Sequence, residues 1–434
     1  MGEQPASADT SAVLATEALG PHDLAEGNPG HDLDADTVRR VWVAVEASTS
    51  VNTKAAYRSD WARFQGWAAG AGYPVLPADP MVVAAYLTGA AAEQTVVGQW
   101  RYSPATLTRW TSSINQFHTA AGLAAPGRSE VVRRALSGIR RLRATPPNRR
   151  APLLLEDIKR LLTAMAPFSI WPGGVIARRD AALLLVGFAT AARRSELVGL
   201  AVGDVAAHRV DGLHLRWRTS KTDQEARGTV KAVPYGRDSG TCPPCAYTRW
   251  RLLLDAADLV DPVGQRRSVM TELRRQAGDG GVDGHVCRVD LPEPAVPGRA
   301  LFPLVHKAGR IGAAGMSGQA VNVVLARRAT DAGYTPEQVA KLGGHSLRAG
   351  FVTEAFRQGA DAHAIMRQTG HRNPAILESV TACGPDRSQP APSADRRHAD
   401  LRVRLRIRIG VLFRRHLRGE PHQRCHHLAQ RLPR

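Results

Sequence analysis

The chain is 434 residues long, enough at about 100 to 200 residues per domain for two or three domains with cores of ordinary size. Its 58 Lys and Arg against 39 Asp and Glu leave a net charge of +19, so an anionic polymer is the expected partner. No run of about 18 uncharged apolar residues occurs, which excludes a helical membrane span, and five scattered cysteines are no disulfide framework.

Residues 1–36 are rich in Ala, Gly, Asp, Glu and Pro without an apolar period, and read as a disordered acidic arm. The first 30 carry acids but no Lys or Arg, the reverse of a secretory or mitochondrial leader, so a cytoplasmic location is expected. Residues 40–143 read as a helical module. Tyr57, Trp61, Phe64 and Trp67 recur at spacings of four and three, as burial of one helical face requires. Asp79-Pro80, Ser103-Pro104 and Ser129-Glu130 carry the capping chemistry that opens three further helices, the last ending at Arg143. Arg133, Arg134, Arg140, Arg141 and Arg143 make that last helix strongly basic. With the neighbouring Arg149 and Arg150 they read as phosphate contacts, the alternative being a solvated face.

Residues 144–151, ATPPNRRA, read as an extended basic linker. The unit beyond it, 152–383, opens with helical patterns over Leu154–Met165 and Asp180–Thr190. Two strands follow, from Gly212 and from Gly228, around a polar turn that contains Ser220-Lys221-Thr222-Asp223. Helical patterns resume over Pro243–Ala257, Ser317–Ala332 and most of Gly350–Ser379, while residues 256–300 are loop-like. The expected class is therefore mainly α with one small antiparallel sheet. Cys242-Pro-Pro-Cys245 has the spacing of a redox or zinc pair. No second CxxC or His pair follows at finger spacing and no thioredoxin-like pattern surrounds it, so neither metal nor redox chemistry is expected there. Residues 384–434 hold 13 Arg, no Lys and 4 acids, about half of the chain's net charge, in an Arg- and Pro-rich tail unlike the rest.

Three clusters stand out: Ala192-Arg193-Arg194-Ser195-Glu196-Leu197, Gly344-His345-Ser346-Leu347-Arg348-Ala349-Gly350, and Gly370-His371-Arg372. Each alone is weak, because Arg beside Glu is usually a surface ion pair and HxxR places two polar groups on one helical face in many proteins. Their order carries more. Arg193, Lys221, His345, Arg348 and His371 follow one another as in the tyrosine recombinases, or phage integrases, which the chain resembles. TAARRSELVGL resembles that family's first box, and GGHSLRAGFVTEA with IMRQTGHRNPAIL its second. SVNTKAAYRSDWARFQGWA, in the N-terminal module, resembles its core-binding domain. The resemblance covers roughly residues 45–379.

The resemblance implies a helical, SAM-like core-binding domain plus a mostly α catalytic domain with a small sheet, the DNA breaking-rejoining enzyme fold, closing on duplex DNA as a clamp. It implies site-specific recombination through a 3′-phosphotyrosyl intermediate, without metal or nucleotide cofactor, by a nucleoid-associated protein that self-associates on DNA, as a tetramer in intact relatives. The residue types fit that chemistry. A phosphodiester carries one negative charge that becomes about two in the pentavalent transition state, and two guanidiniums present planar forks to its non-bridging oxygens. By resemblance Arg193 and Arg348 are that clamp. His345, on the helical face of Arg348, moves a proton near the nucleophile, and Lys221 protonates the leaving 5′ oxygen. His371 hydrogen-bonds the phosphate, and Glu196 orients Arg193.

The pattern breaks at the nucleophile. The family's tyrosine lies roughly nine residues after the second histidine, where this chain has Val380. The seven tyrosines are Tyr57, Tyr73, Tyr86, Tyr102, Tyr235, Tyr247 and Tyr334, none of them beyond His371. Ser379, Thr381 and Cys383 are near, but on a helix they point away from position 380. The break coincides with the change into the Arg-rich tail. Two readings stay open: a reading-frame change near codons 378 to 381, or a genuine basic tail on a catalytically silent DNA-binding regulator or decoy.

Overall fold

The computed structural model of the chain describes residues 34–143, 149–165, 171–218, 228–261, 263–278, 284–288, 290–371, 373, 374 and 377. The acidic arm to residue 33, positions 144–148, the turn with Lys221, Val380 and the tail from 384 lie outside the described residues. The chain divides into two compact units, the division falling between Pro147 and Asn148.

The first unit is helical: α1 (Ala35–Ala47), α2 (Val51–Gly70), α3 (Pro80–Ala92), α4 (Pro104–Ala120) and α5 (Glu130–Arg143). Side-chain oxygens stop the orphan N–H groups at three starts: Ser50 accepts from Thr53 N (3.2 Å), Asp79 from Met81 N (2.7 Å) and Ser103 from Thr106 N (3.1 Å). Trp61 and Phe64 are buried in the core and Tyr57 and Trp67 half-buried at its edge, with Trp61 stacked on Phe117 at 4.6 Å. The aromatic stripe is packing. Helix α1 begins inside the stretch expected to be disordered, because Asp34 accepts from Thr37 N at 2.9 Å and caps it. Arg143, grouped with the phosphate-contact candidates, instead donates to the carbonyls of Ala91 and Tyr102 and lies over the Trp100 ring.

The second unit begins with α6 (Leu155–Thr163), α7 (Gly173–Thr190) and the short α8 (Arg194–Val198). An antiparallel sheet follows in the order β1 (Val205–His208), β2 (Gly212–Trp217), β3 (Thr229–Val233), with Leu215 opposite Lys231. Then come α9 (Pro243–Asp258), α10 (Gln265–Gly278), the hairpin β4 (Pro303–Val305) and β5 (Ile311–Gly315), α11 (Gly318–Asp331), α12 (Pro336–Ala340), α13 (Gly344–Arg357) and α14 (Ala362–Thr369). Helix α7 is buried along most of its length, and α9 and α13 pack against it. Within α7 the fully buried Asp180 accepts from three guanidiniums, those of Arg179 (2.7 Å), Arg327 (2.6 Å) and Arg328 (2.7 Å), so α11 is tied to the centre of the unit by charge.

The class is as expected, mainly α with small antiparallel sheets, but several elements differ from the sequence reading. Strand β1 adds a third strand. The region read as loop holds α10, whose fully buried apolar residues are only Val269 and Leu273, one turn apart. A stripe that narrow in a charged segment gives little periodic signal. The second sheet is a short hairpin containing Gly312 and Gly315, below the length at which alternation is visible. The last helical stretch also starts earlier than expected, at Gly344, and is interrupted after Arg357, where Gly359 takes a positive φ of 77°.

The loop region also corrects the reading of Cys242-Pro-Pro-Cys245. The absent second pair is His285-x-Cys287, carried past α10 and brought against the first pair, with Cys245 Sγ 3.3 Å from Cys287 Sγ and 3.4 Å from His285 Nδ1.

Candidate active site

The site is built around the C-terminal end of α7. That helix closes with Ala191 in the left-handed conformation (φ 48°), fully buried, which leaves the carbonyls of Thr190 and Ala191 without helical partners. The chain then turns into Arg193, which caps α8. The Arg193 backbone N–H donates to Glu196 Oε2 (2.9 Å) and its Nη1 donates to Oε1 (2.5 Å), so one carboxylate fixes both the backbone and the guanidinium. Trp217 Nε1 donates to the Glu196 carbonyl at 3.2 Å. Burial alone would raise the Glu196 carboxyl, but the Arg193 N–H and guanidinium, with Lys231 beyond them, hold it below the usual range. Glu196 thus holds the backbone and the guanidinium of Arg193 together.

Helix α13 brings His345 and Arg348. Arg348 is buried; its Nη1 donates to the Ala191 carbonyl (2.8 Å) and its Nη2 to His371 Nε2 (2.9 Å). Thr369 gives its hydroxyl proton to the Ile365 carbonyl (2.7 Å), so its oxygen accepts from His371 Nδ1 at 2.9 Å. The network thereby assigns His371 the tautomer with the proton on Nδ1 and the lone pair of Nε2 facing Arg348. Burial, then Arg348, Arg193, His345 and Lys231, push His371 down to about 4, so the ring is neutral at pH 7. Burial with Arg193 pushes Arg348 down to about 10, against the pull of Glu196, and it stays charged. His345 is exposed on the same helix.

A close approach makes this possible. A Cβ on Gly350 would lie 1.7 Å from the Leu153 carbonyl oxygen, and Leu153 N donates to Ser346 O at 3.0 Å. Glycine at 350 lets residues 151–153 lie directly on the helix that carries Arg348.

One residue here escaped the sequence reading. Lys231 stands on β3, on the face that also buries Val233, with Nζ donating to the Thr190 carbonyl (3.0 Å) and lying 4.9 Å from the Trp217 ring centroid. Burial lowers it to about 8, Arg348 and Arg193 adding to the fall and Glu196 opposing it. The signal was the strand alternation itself, which places Lys231 on the inward parity. Lys221 and Val380 lie outside the described residues. The arginines read as phosphate contacts are not part of this cluster. Arg133, Arg134, Arg140 and Arg141 are exposed on α5, the first two paired with Glu130 and Arg140 donating to Thr108. Arg149 and Arg150 are exposed ahead of α6, with Arg150 Nη1 donating to the Ala340 carbonyl at 2.5 Å.

Three cations, Arg193, Lys231 and Arg348, thus gather at the negative end of one helix around a single carboxylate, with a neutral imidazole beside them. The surplus charge and the planar guanidinium forks suit an anion with several oxygens, a phosphoryl group above all.

An integrase/recombinase XerD homolog of Selenomonas ruminantium is 28% identical over 332 residues, 76% of this chain and 81% of that protein. Among solved structures, the Tn1549 transposon integrase in complex with transposon right-end DNA matches 84% of this chain and 96% of its own, at 14% identity and a TM-score of 0.47. A lambda integrase dimer bound to a core site matches 82% and 97%, at 14% identity and a TM-score of 0.40. No protein-family model matches the chain.

Proposed function

We propose that this chain, a tyrosine recombinase by family, binds duplex DNA and seats a backbone phosphate against Arg193 and Arg348 but does not cut it. The observation that carries the reading is the convergence of Arg193, Arg348 and His371 on the end of α7, although they come from distant parts of the sequence. The guanidiniums hold the non-bridging oxygens. His345, exposed one turn before Arg348, faces outward where a proton acceptor or donor is useful. Lys231 adds fixed positive charge beneath the pair, and Lys221 retains the role of proton donor to a leaving 5′ oxygen. The exposed arginines of α5 and Arg149 and Arg150 supply phosphate contacts without sequence preference.

Strand cleavage needs a nucleophile, and no tyrosine follows Tyr334. Tyr334 itself is engaged: its hydroxyl donates to Asp157 Oδ1 at 2.6 Å and its ring lies under Arg160. Valine at 380 has no atom that could attack phosphorus.

The test uses the full chain and a pool of duplexes that trap cleavage at a nick. The expected result is binding that weakens steeply with salt and no complex that survives denaturant. A denaturant-stable protein–DNA adduct would overturn the cleavage-deficient reading, and no binding at low salt would overturn the DNA-binding one. Translating codons 370 to 434 in all frames separates the two origins of Val380: a frame that encodes a tyrosine near 380 identifies a damaged gene.

A further inference from the structure

We propose that Cys242, Cys245, His285 and Cys287 bind one zinc ion in a closed structural site that fastens the segment after α10 to the start of α9. The four candidate donor atoms, three Sγ and His285 Nδ1, all lie within 4.8 Å of one another. Zinc held tetrahedrally at about 2.3 Å from sulfur and about 2.0 to 2.1 Å from nitrogen separates two sulfurs by about 3.8 Å and a sulfur from a nitrogen by about 3.6 Å. The chain shows 3.3 Å and 3.9 Å between sulfurs, and 3.4 Å and 3.8 Å between sulfur and Nδ1. These four separations bracket those of a tetrahedral zinc, and the donor atoms form one compact cluster. The three sulfurs are buried and unbonded to one another.

The surroundings hold the donors as a metal site needs. His285 Nε2 donates to the Arg237 carbonyl at 3.1 Å, which leaves the Nδ1 lone pair facing the sulfurs. Gly236 N donates to Cys242 Sγ at 3.2 Å, the backbone contact that supports a thiolate ligand. A Cβ on Gly236 would lie 2.7 Å from Cys242 Cα, so only glycine lets that N–H approach. Cys242 caps α9, Pro243 and Pro244 start the helix in the fixed φ it requires, and Cys245 follows in the first turn. The second pair comes from the 3-10 turn Val286–Arg288 and the residue before it.

The ligand set, three cysteines and a histidine, is one that zinc takes in structural sites with no open position. Its place in the fold suits that role. Strand β3 ends at Val233, two residues after Lys231, and the chain continues through Tyr235, whose hydroxyl donates to the His208 carbonyl (2.9 Å), into Gly236 and Arg237 against the cluster. Zinc would therefore fix the far end of the strand that carries Lys231.

The experiment measures metal in the full chain, purified without chelator from zinc-supplemented cells. About one zinc per chain is expected, falling to background in Cys245→Ser/Cys287→Ser and unchanged in Cys425→Ser. Replacing the metal of the unmutated chain with cobalt should give the intense visible bands and thiolate charge transfer of a tetrahedral sulfur-rich site, a readout that needs no variant to fold. Folded chain with only trace metal and all five thiols open to titration in denaturant would overturn the proposal. So would a disulfide among Cys242, Cys245 and Cys287, or full zinc content in the double variant.

Discussion

Lys231 and Arg348 dock on consecutive carbonyls of one helix end, Lys231 Nζ on Thr190 O at 3.0 Å and Arg348 Nη1 on Ala191 O at 2.8 Å. The carbonyls that α7 cannot bond internally, at the negative pole of its dipole, become a fixed seat for two cations from β3 and α13. Neither side chain has to be ordered when an anion arrives, because both are already held.

The seat leaves a signature in the alkaline range. Lys231 falls from 10.5 unfolded to about 8 folded, so between those values the unfolded chain binds more protons, and stability rises as pH climbs through about 8 to 10.5. Lys231→Met should be neutral or slightly stabilising at pH 7 and should abolish that rise. Urea denaturation of both proteins across the window checks it; an identical alkaline profile in the variant counts against a lowered Lys231.

His371 gives the opposite limb. Its folded value of about 4 lies below the ordinary 6.5, so the folded state loses stability as pH falls from 6.5 to about 4, and the loss levels off below that. Direct NMR titration of the ring should show Nδ1 protonated and Nε2 bare at pH 7. A midpoint at or above 6.5 rejects the assigned network.

Gly350→Ala should cost about 3 kcal/mol, at the upper end of overpacking effects, because the new methyl meets a backbone oxygen rather than a movable side chain. Gly359→Ala is the comparison. Its position has open space and only the positive φ of 77° to oppose the change, so about 1 kcal/mol is expected. Equal midpoints for the two variants in thermal melts contradict the close approach at Leu153.

Asp180→Ala removes the carboxylate that Arg179, Arg327 and Arg328 share, with Arg328 keeping its second partner Asp331. The loss should reach about 3 to 5 kcal/mol, as for other broken buried pairs. A loss below about 1 kcal/mol by denaturant titration would show that water already screens the cluster.

Val380→Tyr alone should give no covalent adduct on a nicked duplex. Gly384 and Pro385 follow closely, and both oppose the helix that must deliver a nucleophile. Efficient adduct formation by this single variant would show that the written tail can present a tyrosine after all.

How much of this could be read from the residues depended on the range of each signal. Capping at Asp79 and Ser103 is local chemistry, and those helix starts are plain in the text of the chain, whereas Ser129, read in the same way, keeps its buried Oγ without a hydrogen-bond partner at the start of α5. The aromatic core of α2 is a one-helix period and equally visible. Arg193, Arg348 and His371 were legible through resemblance, and their hydrogen-bond partners were not, because backbone carbonyls carry no sequence. Lys231 was overlooked for the reason that a lone lysine in a short strand is ordinarily solvent-facing. His285 and Cys287 were overlooked because α10 stands between them and Cys242-x-x-Cys245, far beyond finger spacing, and that helix was itself hidden by its narrow apolar stripe.

Residues 150–153 lie along α13 by three tethers: Arg150 on Ala340 O just ahead of the helix, Ala151 N on Lys341 O, and Leu153 N on Ser346 O within it. A pull on the chain at Arg149 therefore enters the second unit at the base of the helix that bears His345 and Arg348. The first described residues of the second unit are thereby anchored at the start of α13, the helix from which Arg348 reaches the Ala191 carbonyl.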